Sequence, residues 1–279
     1  MTDDHAPAGL GTPETVATHL TFLAGHLELV SDARNKAISL EGTTWRVVAA
    51  LLHGVVETGN SLALLVRSIR VRDSYVLARA LFDTTLTAAF VLAGGQAVAE
   101  RAERHARQKS HRDLARESHV AGQTLRLLWT GSVDVSQEPE LQAALAEYTG
   151  RKGQELRDWT PENASEQIEA VAAKYGAQVA LGFQAALFNV YRHGSEAAHG
   201  TLFGVLYVLG VTLPGGGPKD EGEYDRHRCE HLAALCLIMG CALSSLLATL
   251  AIELQMPALG EKAQRLWDPV QSQPWVSRA

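Results

Sequence analysis

The chain has 279 residues, of which 46% are hydrophobic and 20% charged, and its formal net charge at pH 7 is −6. This composition is typical of a folded protein with a substantial core and excludes an intrinsically disordered chain. The negative charge excludes overall electrostatic attraction to nucleic acid, so binding of RNA would need a local basic patch. The three cysteines lack C-x-x-C spacing and no N-terminal signal is evident, which predicts a cytoplasmic protein with reduced thiols.

Helical periodicity runs through most of the chain. Residues 1–12 read as a polar tail, and Thr12 and Pro13 are suited to be the N-cap and the first residue of a helix. We expect an all-helical domain over residues 13–268 and a second tail over residues 269–279. The predicted helices cover about residues 13–30, 42–57, 61–70, 74–93, 96–130, 136–157, 160–171, 176–199, 224–254 and 259–267.

Glycine and proline mark the breaks between these helices. Gly94 and Gly95 predict a break or kink, and the glycine- and proline-rich residues 213–218 predict a loop. Strand-like alternation is missing apart from a run at residues 205–211, which reads as helix or extended loop. The sequence therefore predicts an all-α fold, a single bundle of about eight to ten helices.

One segment raises the question of a membrane. Leu232–Ile252 is a run of 21 residues without a formal charge, which is long enough to cross a bilayer. The run also contains Ser244, Ser245 and Thr249 and many alanines, a composition that favours a helix buried in a bundle. We therefore expect no membrane span, and a membrane-associated protein stays open as an alternative.

Polar and titratable side chains interrupt an apolar helix at residues 191–200. Tyr191, Ser195 and His199 stand at i, i+4 and i+8, so they share one helical face. Arg192 lies seven residues before His199, which is close to two turns, so these two residues are nearly in line. The segment thus places an imidazole, a guanidinium, a phenol and a hydroxyl on one helix.

This arrangement has two interpretations. In the first, Tyr191, Ser195 and His199 form a satisfied polar network in the core, and Arg192 pairs with Glu196 at the surface. In the second, His199 is a general acid or base and Arg192 holds a phosphate. The spacing of arginine and histidine does not decide between them, because comparable spacings occur at four other places in the chain.

Three further patterns bear on ligands. The segment Arg101–His119 carries six Lys or Arg, three Asp or Glu and three His, which suits a solvated helix face or the phosphate-contacting wall of an RNA groove. His227 and His231 stand at i, i+4, but no second pair of metal ligands is evident. The glycines at 215–217 lack the Lys-Ser/Thr of a phosphate-binding loop. We expect neither a metal nor a cofactor.

Three sequence blocks carry a resemblance to a known family. They are, in chain order, Arg79-Ala80-Leu81-Phe82-Asp83, then Trp159-Thr160 followed by Ile168-Glu169-Ala170-Val171-Ala172, and finally Tyr191-x-x-x-Ser195-x-x-x-His199-Gly200. Together they resemble the uncharacterised bacterial family called domain of unknown function 5677, over about residues 50–255. That family has no established activity, so the resemblance implies a fold and not a reaction.

The third block also resembles the HEPN superfamily (higher eukaryotes and prokaryotes nucleotide-binding) of helical bundles. This resemblance implies an HEPN-like core, a homodimer and a metal-independent ribonuclease of a toxin or phage-defence module, with RNA as substrate and an antitoxin or other protein as partner. Arg192 would bind the scissile phosphate and His199 would assist 2′-OH attack or protonation of the leaving group. Tyr191 and Ser195 would orient His199, and Glu196 would position Arg192. The alternative is a non-catalytic helical interaction module whose polar helix is structural.

Overall fold

The computed structural model describes residues 11–128, 134–156, 158–212 and 216–271. Most of these residues are helical, which confirms the all-α prediction. The elements are α1 (Pro13–Ile38), α2 (Thr43–Arg67), α3 (Val71–Leu114), β1 (Ala115–Val120), β2 (Gln123–Leu128), α4 (Pro139–Glu147), α5 (Ala164–Tyr175), α6 (Ala177–Ala186), α7 (Arg192–Ala198), α8 (Leu202–Val208), α9 (Glu221–Glu253), α10 (Pro257–Arg265) and α11 (Asp268–Gln271). A 3-10 turn at Val135–Gln137 precedes α4, and a π-helical turn at Leu187–Tyr191 joins α6 to α7.

The elements group into two compact units. Of the described residues, those up to 93 and from 164 onward form the first unit, and those between 94 and 163 form the second. In the first unit, α9 packs against α1, α6 and α10, and α1 also packs against α2. Many large apolar side chains of α9 are fully buried, and burial of each such side chain stabilises a fold by about 1.5–3 kcal/mol before entropy is counted. This unit carries the candidate site.

The helix starts follow the capping pattern of the sequence. The Thr12 hydroxyl accepts a hydrogen bond from the Thr15 backbone N–H at 3.2 Å, and Pro13 occupies the first turn of α1. At α9 the Asp220 carboxylate accepts from the Glu223 backbone N–H at 2.8 Å. Each cap satisfies a donor that the first turn of a helix leaves unpaired, so the predicted start of α1 is confirmed.

Helix α2 is continuous where the sequence predicts two helices, over residues 42–57 and 61–70. Gly59 does not end the helix, because its missing side chain makes room for the Leu27 side chain of α1. The break predicted at Gly94 and Gly95 is confirmed, since Gly95 has non-helical dihedral angles of φ 64° and ψ −146°. The same residue type therefore has two roles, close packing in α2 and a kink in α3.

The second unit contains a β-hairpin that the sequence does not predict. Strands β1 and β2 pair in antiparallel register, with Arg116 opposite Leu127 and Val120 opposite Gln123. Ala121 and Gly122 form the turn, both with positive φ, 52° and 75°. Two consecutive residues of positive φ favour a hairpin and cannot continue a helix, so the prediction of one helix over residues 96–130 is wrong. Its predicted end at residues 129–131 lies outside the described residues.

The next predicted helix, over residues 136–157, is shorter in the structure. Helix α4 ends at Glu147. A turn follows, in which the Gly153 backbone N–H donates to the Gly150 carbonyl at 2.8 Å and Gly153 has a φ of 77°. The predicted tails also fall mainly outside the structure, since residues 1–10 and 272–279 are not described. The loop predicted at residues 213–218 is described only from residue 216 onward.

Three helical segments of the described chain are long and apolar enough to cross a membrane: Thr43–Arg67, Val71–Asp113 and Glu221–Glu253. Between 44% and 61% of an apolar 18-residue window of each segment is buried inside the chain, and the rest of each window is partly or fully exposed. This finding overturns two expectations, that the chain has no membrane span and that it is cytoplasmic. The expectation of no span considered only the charge-free run at 232–252 and overlooked α2 and α3, whose apolar stretches are interrupted by a few charged residues. The cytoplasmic expectation rested on the cysteines and on the lack of an evident N-terminal signal, which carry no information on these helices.

Candidate functional site

The polar segment at residues 191–200 is not one regular helix. The π-helical turn Leu187–Tyr191 leads into α7, which has seven residues and ends at Ala198. His199 is the C-cap of α7, and Gly200 takes a positive φ of 63° that ends the helix. π-helical turns inside helices are frequent at functional sites, because the extra residue redirects the side chains that follow.

Two glycines set the distance between α7 and its neighbours. A Cβ on Gly194 would lie 2.7 Å from the Tyr75 carbonyl oxygen and from Arg79 Cβ, so glycine is required where α7 meets α3. A Cβ on Gly204 would lie 2.7 Å from the Glu196 carbonyl oxygen, so α8 also approaches α7 closely. Contacts under 3 Å cannot be met without moving backbone, and these positions therefore fix α7 on the first unit.

Arg79 of α3 connects the side chains of Tyr191 and Ser195. Its Nη1 donates a hydrogen bond to Ser195 Oγ at 2.9 Å, and its guanidinium carbon lies 4.8 Å from the centre of the Tyr191 ring. Its Nε lies 3.8 Å from the Asp83 carboxylate, one turn further along α3. The Tyr191 ring also meets Phe82 edge-on at 6.0 Å. The first and third blocks of the family resemblance thus meet in space at Arg79.

The remaining predicted site residues lie at the outer face of α7. Arg192 and His199 are exposed, and within the described chain neither side chain makes a hydrogen bond or an ion pair. Their Cα atoms are about 10 Å apart, from the rise of a helix over seven residues. Glu196 accepts a hydrogen bond from the Thr201 hydroxyl at 2.6 Å. The structure therefore brings Tyr191 and Ser195 to Arg79, and Glu196 to Thr201, and leaves Arg192 and His199 free.

His193, which follows Arg192, is part of an aromatic cluster. Its ring stacks on Tyr207 with centroids 4.0 Å apart and planes at 5°. Burial, and then the positive charge of Arg192, lower the pKa of His193, so this ring is neutral at pH 7. Its Nδ1 is buried and has no hydrogen-bond partner among the described residues. A neutral, stacked imidazole is suited to stacking with further rings.

A chain of hydrogen bonds lies behind this cluster. The Tyr75 hydroxyl is 2.9 Å from His231 Nδ1, and His231 Nε2 is 3.0 Å from His227 Nε2. The two Nε2 atoms face each other at hydrogen-bond distance, so one of them donates its N–H and the other accepts. Among the described residues no group of three or more His, Cys, Asp or Glu could hold a metal ion, so this histidine pair stands without further ligands.

A cavity of about 1030 Å³ opens beside Arg192 and His193. Phe188, from the π-helical turn, lines it and is 83% exposed, and Phe203 of α8 lines it and is 46% exposed. Gln184 and Asn189 add side-chain amides to the wall. His199 does not belong to this lining. The cavity therefore combines exposed aromatic rings, a free guanidinium and neutral polar groups.

The basic segment Arg101–His119 of the second unit is occupied by local ion pairs. Arg104 makes two hydrogen bonds to Glu147, at 2.7 and 3.3 Å, and Arg107 pairs with Glu140. Lys109 lies 2.9 Å from Glu155. These pairs favour a structural role in holding α4 and the following turn against α3 over the wall of an RNA groove.

The aromatic wall of the cavity could not be recognised from the sequence. Phe188 and Phe203 read as ordinary apolar positions flanking a polar segment, because periodicity does not separate an exposed ring from a buried one. The available signal was the pair of aromatic residues on either side of Arg192 and His193. The signal for Arg79 was its place in the first block of the family resemblance, but its partners are distant in sequence.

Comparison with known proteins identifies a family. A model of a family described as Family of unknown function (DUF5677) matches residues 46–216. No curated protein matches the chain, and no solved structure matches it.

Proposed function

The chain belongs to this family of unknown function, DUF5677, and we propose that it is an HEPN-like, metal-independent endoribonuclease that acts at the outer face of α7. One observation carries the proposal. Of the polar side chains on this segment, Tyr191, Ser195 and Glu196 have partners in the fold, whereas Arg192 and His199 are exposed and unpaired within the described chain. A free guanidinium and a free imidazole about two helical turns apart on one surface support binding of a phosphodiester.

The reaction requires only groups that this surface offers and water. His199 accepts the proton of the ribose 2′-hydroxyl, and the 2′-oxygen attacks the adjacent phosphorus. The bond from phosphorus to the 5′-oxygen breaks, water supplies a proton to that oxygen, and His199 later returns its proton to solvent. The products are a 2′,3′-cyclic phosphate and a 5′-hydroxyl. Arg192 neutralises the charge that builds up on the phosphate oxygens.

The residues of this surface that have partners in the fold act as positioning groups in this proposal. Arg79 holds Tyr191 and Ser195, which keeps the start of α7 against α3. Glu196 holds Thr201 and so supports the turn that follows His199. The resemblance to HEPN bundles supports a homodimer and an antitoxin or other protein partner as further parts of the proposal.

A second candidate function is a non-catalytic interaction module. The observation in its favour is the apolar surface around α7 and α8, where Phe188 is 83% exposed and Leu202 is 73% exposed. Exposed apolar side chains that are grouped mark interaction surfaces more often than single ones do. In this case the alanine variant of His199 would change nothing that an RNA assay measures.

The test is cleavage of a labelled single-stranded RNA by the purified chain in the presence of EDTA. Wild type should cleave the RNA to fragments with 2′,3′-cyclic phosphate ends and leave a DNA strand of the same sequence intact, since DNA lacks the attacking 2′-hydroxyl. His199→Ala and Arg192→Ala should each lose about 10²-fold or more of the rate without a change in melting temperature. Arg70→Ala, at an exposed arginine on another part of the first unit, is the matched control and should cleave like wild type. Absence of RNA cleavage by wild type contradicts the proposal and favours the interaction module.

A further inference from the structure

We propose that the cavity beside Arg192 is a stacking subsite for an unpaired base of single-stranded RNA, with Arg192 on the adjoining phosphate. The inference rests on the proposed function and names the part of the substrate that this site selects. It comes from the aromatic wall, which the cleavage chemistry does not use. That wall consists of Phe188, His193 and Phe203, with Tyr207 behind His193.

The rings are arranged as a stacking surface. Tyr207 covers one face of His193 at 4.0 Å, and the His193 ring also lines the cavity. Phe203 lies 6.4 Å from His193 with an interplanar angle of 27°, so the two rings are nearly parallel. Bases of any sequence stack on such rings, because every base has a π-face. Single-stranded RNA is the form in which bases are free to do so.

Phe188 has no structural reason to be where it is. With 83% of its surface exposed, its ring contributes little to the core, and an exposed apolar ring is unfavourable in water. It lies in the π-helical turn Leu187–Tyr191, which directly precedes Arg192. A ring in this place is explained by a ligand that covers it and that also contacts His193 and Phe203 in the lining of the same cavity.

Charge and polarity of the wall identify the ligand. Arg192 is a free cation, which complements a phosphate and has no role against a purely apolar partner. Asn189 donates through Nδ2 to the Ala185 carbonyl at 2.8 Å, which leaves its Oδ1 to accept from a base. The Gln184 amide has no hydrogen bond within the described chain. The cavity of about 1030 Å³ is at the upper end of ligand sites and accommodates a nucleotide with its neighbour.

The experiment compares the binding of an RNA strand with the binding of the same strand without its bases. Fluorescence anisotropy measures binding of a labelled ten-nucleotide oligouridine and of the same ribose-phosphate chain without bases, both to His199→Ala protein so that the RNA stays intact. We expect the oligouridine to bind more tightly than the abasic chain. Phe188→Ala should weaken oligouridine binding about tenfold and leave binding of the abasic chain unchanged. Phe188→Trp should bind the oligouridine as tightly as the protein with Phe188 does. Ile38→Ala, at an apolar residue that is 65% exposed on α1, is the matched control.

The outcomes separate this inference from the proposed function. Cleavage of RNA by wild type together with equal binding of oligouridine by Phe188→Ala would overturn the stacking subsite and leave the ribonuclease standing. Equal losses for oligouridine and abasic chain would also overturn it, because the ring would then act on the fold. Binding of neither chain, with Phe188-dependent flotation on phosphatidylcholine–phosphatidylglycerol vesicles or Phe188-dependent self-association, would overturn it in favour of a lipid surface or a second copy.

Discussion

Arg79 donates a hydrogen bond to Ser195 across 116 positions of sequence, from Nη1 to Oγ at 2.9 Å. The same guanidinium covers the Tyr191 ring at 4.8 Å. One side chain of α3 thereby fixes two residues of the polar segment, one before α7 and one inside it. Because the two contacts are a helical turn apart, they define both the position and the rotation of α7.

Removing this side chain should destabilise the first unit. Arg79→Ala leaves the Ser195 hydroxyl without its donor and removes the cation–π contact, so we expect the free energy of unfolding to fall by about 1–3 kcal/mol. Urea denaturation measures the change. Arg70→Ala is the control, since that exposed arginine makes only a surface pair with Asp73 and should change stability by less than about 0.5 kcal/mol. Equal effects of the two variants would show that the Arg79 contacts do not fix α7.

The contact between α7 and α3 requires a glycine. In Gly194→Ala the new Cβ would lie 2.7 Å from backbone and side-chain atoms of α3, so α7 must shift and the free energy of unfolding should fall by about 1–3 kcal/mol. Gly54→Ala is the matched control, because its Cβ meets Thr84 at an ordinary 3.5 Å and alanine favours the helix. Thermal or urea unfolding of both variants measures these changes in stability. A Gly194→Ala variant as stable as Gly54→Ala would contradict the close packing.

His26 should make stability depend on pH. Burial lowers its pKa to about 4, against an ordinary value of 6.5, and its Nδ1–H donates to the Phe22 carbonyl at 2.8 Å. The unfolded chain takes up a proton below pH 6.5 and the folded chain does so only near pH 4. The contribution of His26 is thus complete above pH 6.5 and is lost as the pH falls towards 4. We expect a loss on the order of 2–3 kcal/mol from this group.

Urea denaturation between pH 4.5 and 7.5 checks this expectation, with wild type and His26→Gln compared. Glutamine keeps an amide near Ser244, whose hydroxyl is 2.6 Å from His26 Nε2, but it does not titrate. The variant should be less stable at pH 7.5 and should lose less stability on acidification than wild type. His19, whose pKa burial also lowers, keeps a residual slope in both proteins. Parallel curves for the two proteins would exclude His26 as the source.

The basic segment of α3 should not bind RNA. Arg104 and Arg107 are held by Glu147 and Glu140, so their charge is already neutralised locally. We expect the double variant Arg104→Ala, Arg107→Ala to bind single-stranded RNA within about twofold of wild type in an anisotropy titration. A loss of tenfold or more would move the RNA surface to the second unit and away from α7.

Local signals in the sequence were sufficient for part of the fold. The Thr12 cap, the kink at Gly95 and the long apolar α9 all depend on neighbouring residues, and each follows from capping, glycine conformation or periodicity. The hairpin at β1 and β2 did not follow, because its residues suit a charged helix and only the Ala121–Gly122 turn overrides that preference. The membrane length of α9 was visible in the sequence, but that of α2 and α3 was missed because scattered charges hid their apolar windows.

At the candidate site, too, the sequence predicts local features but not contacts between distant residues. Spacing placed Tyr191, Ser195 and His199 on one face, and it singled out Arg192 beside them. Spacing could not show that Arg79 contacts two of these side chains, because a contact across 116 positions produces no local sequence pattern. Nor could it show which side chains stay free, since exposure depends on the packing of α7 against α3 and α8.

The salt dependence of RNA binding tests directly whether Arg192 holds an RNA phosphate. Affinity of single-stranded RNA is measured at several salt concentrations for His199→Ala protein, with and without Arg192→Ala. Each phosphate contact of a single strand contributes about 0.7 to the slope of log affinity against log salt concentration. We expect Arg192→Ala to weaken binding and to lower that slope by about 0.7. An unchanged slope and affinity, or no RNA binding at all, would contradict it.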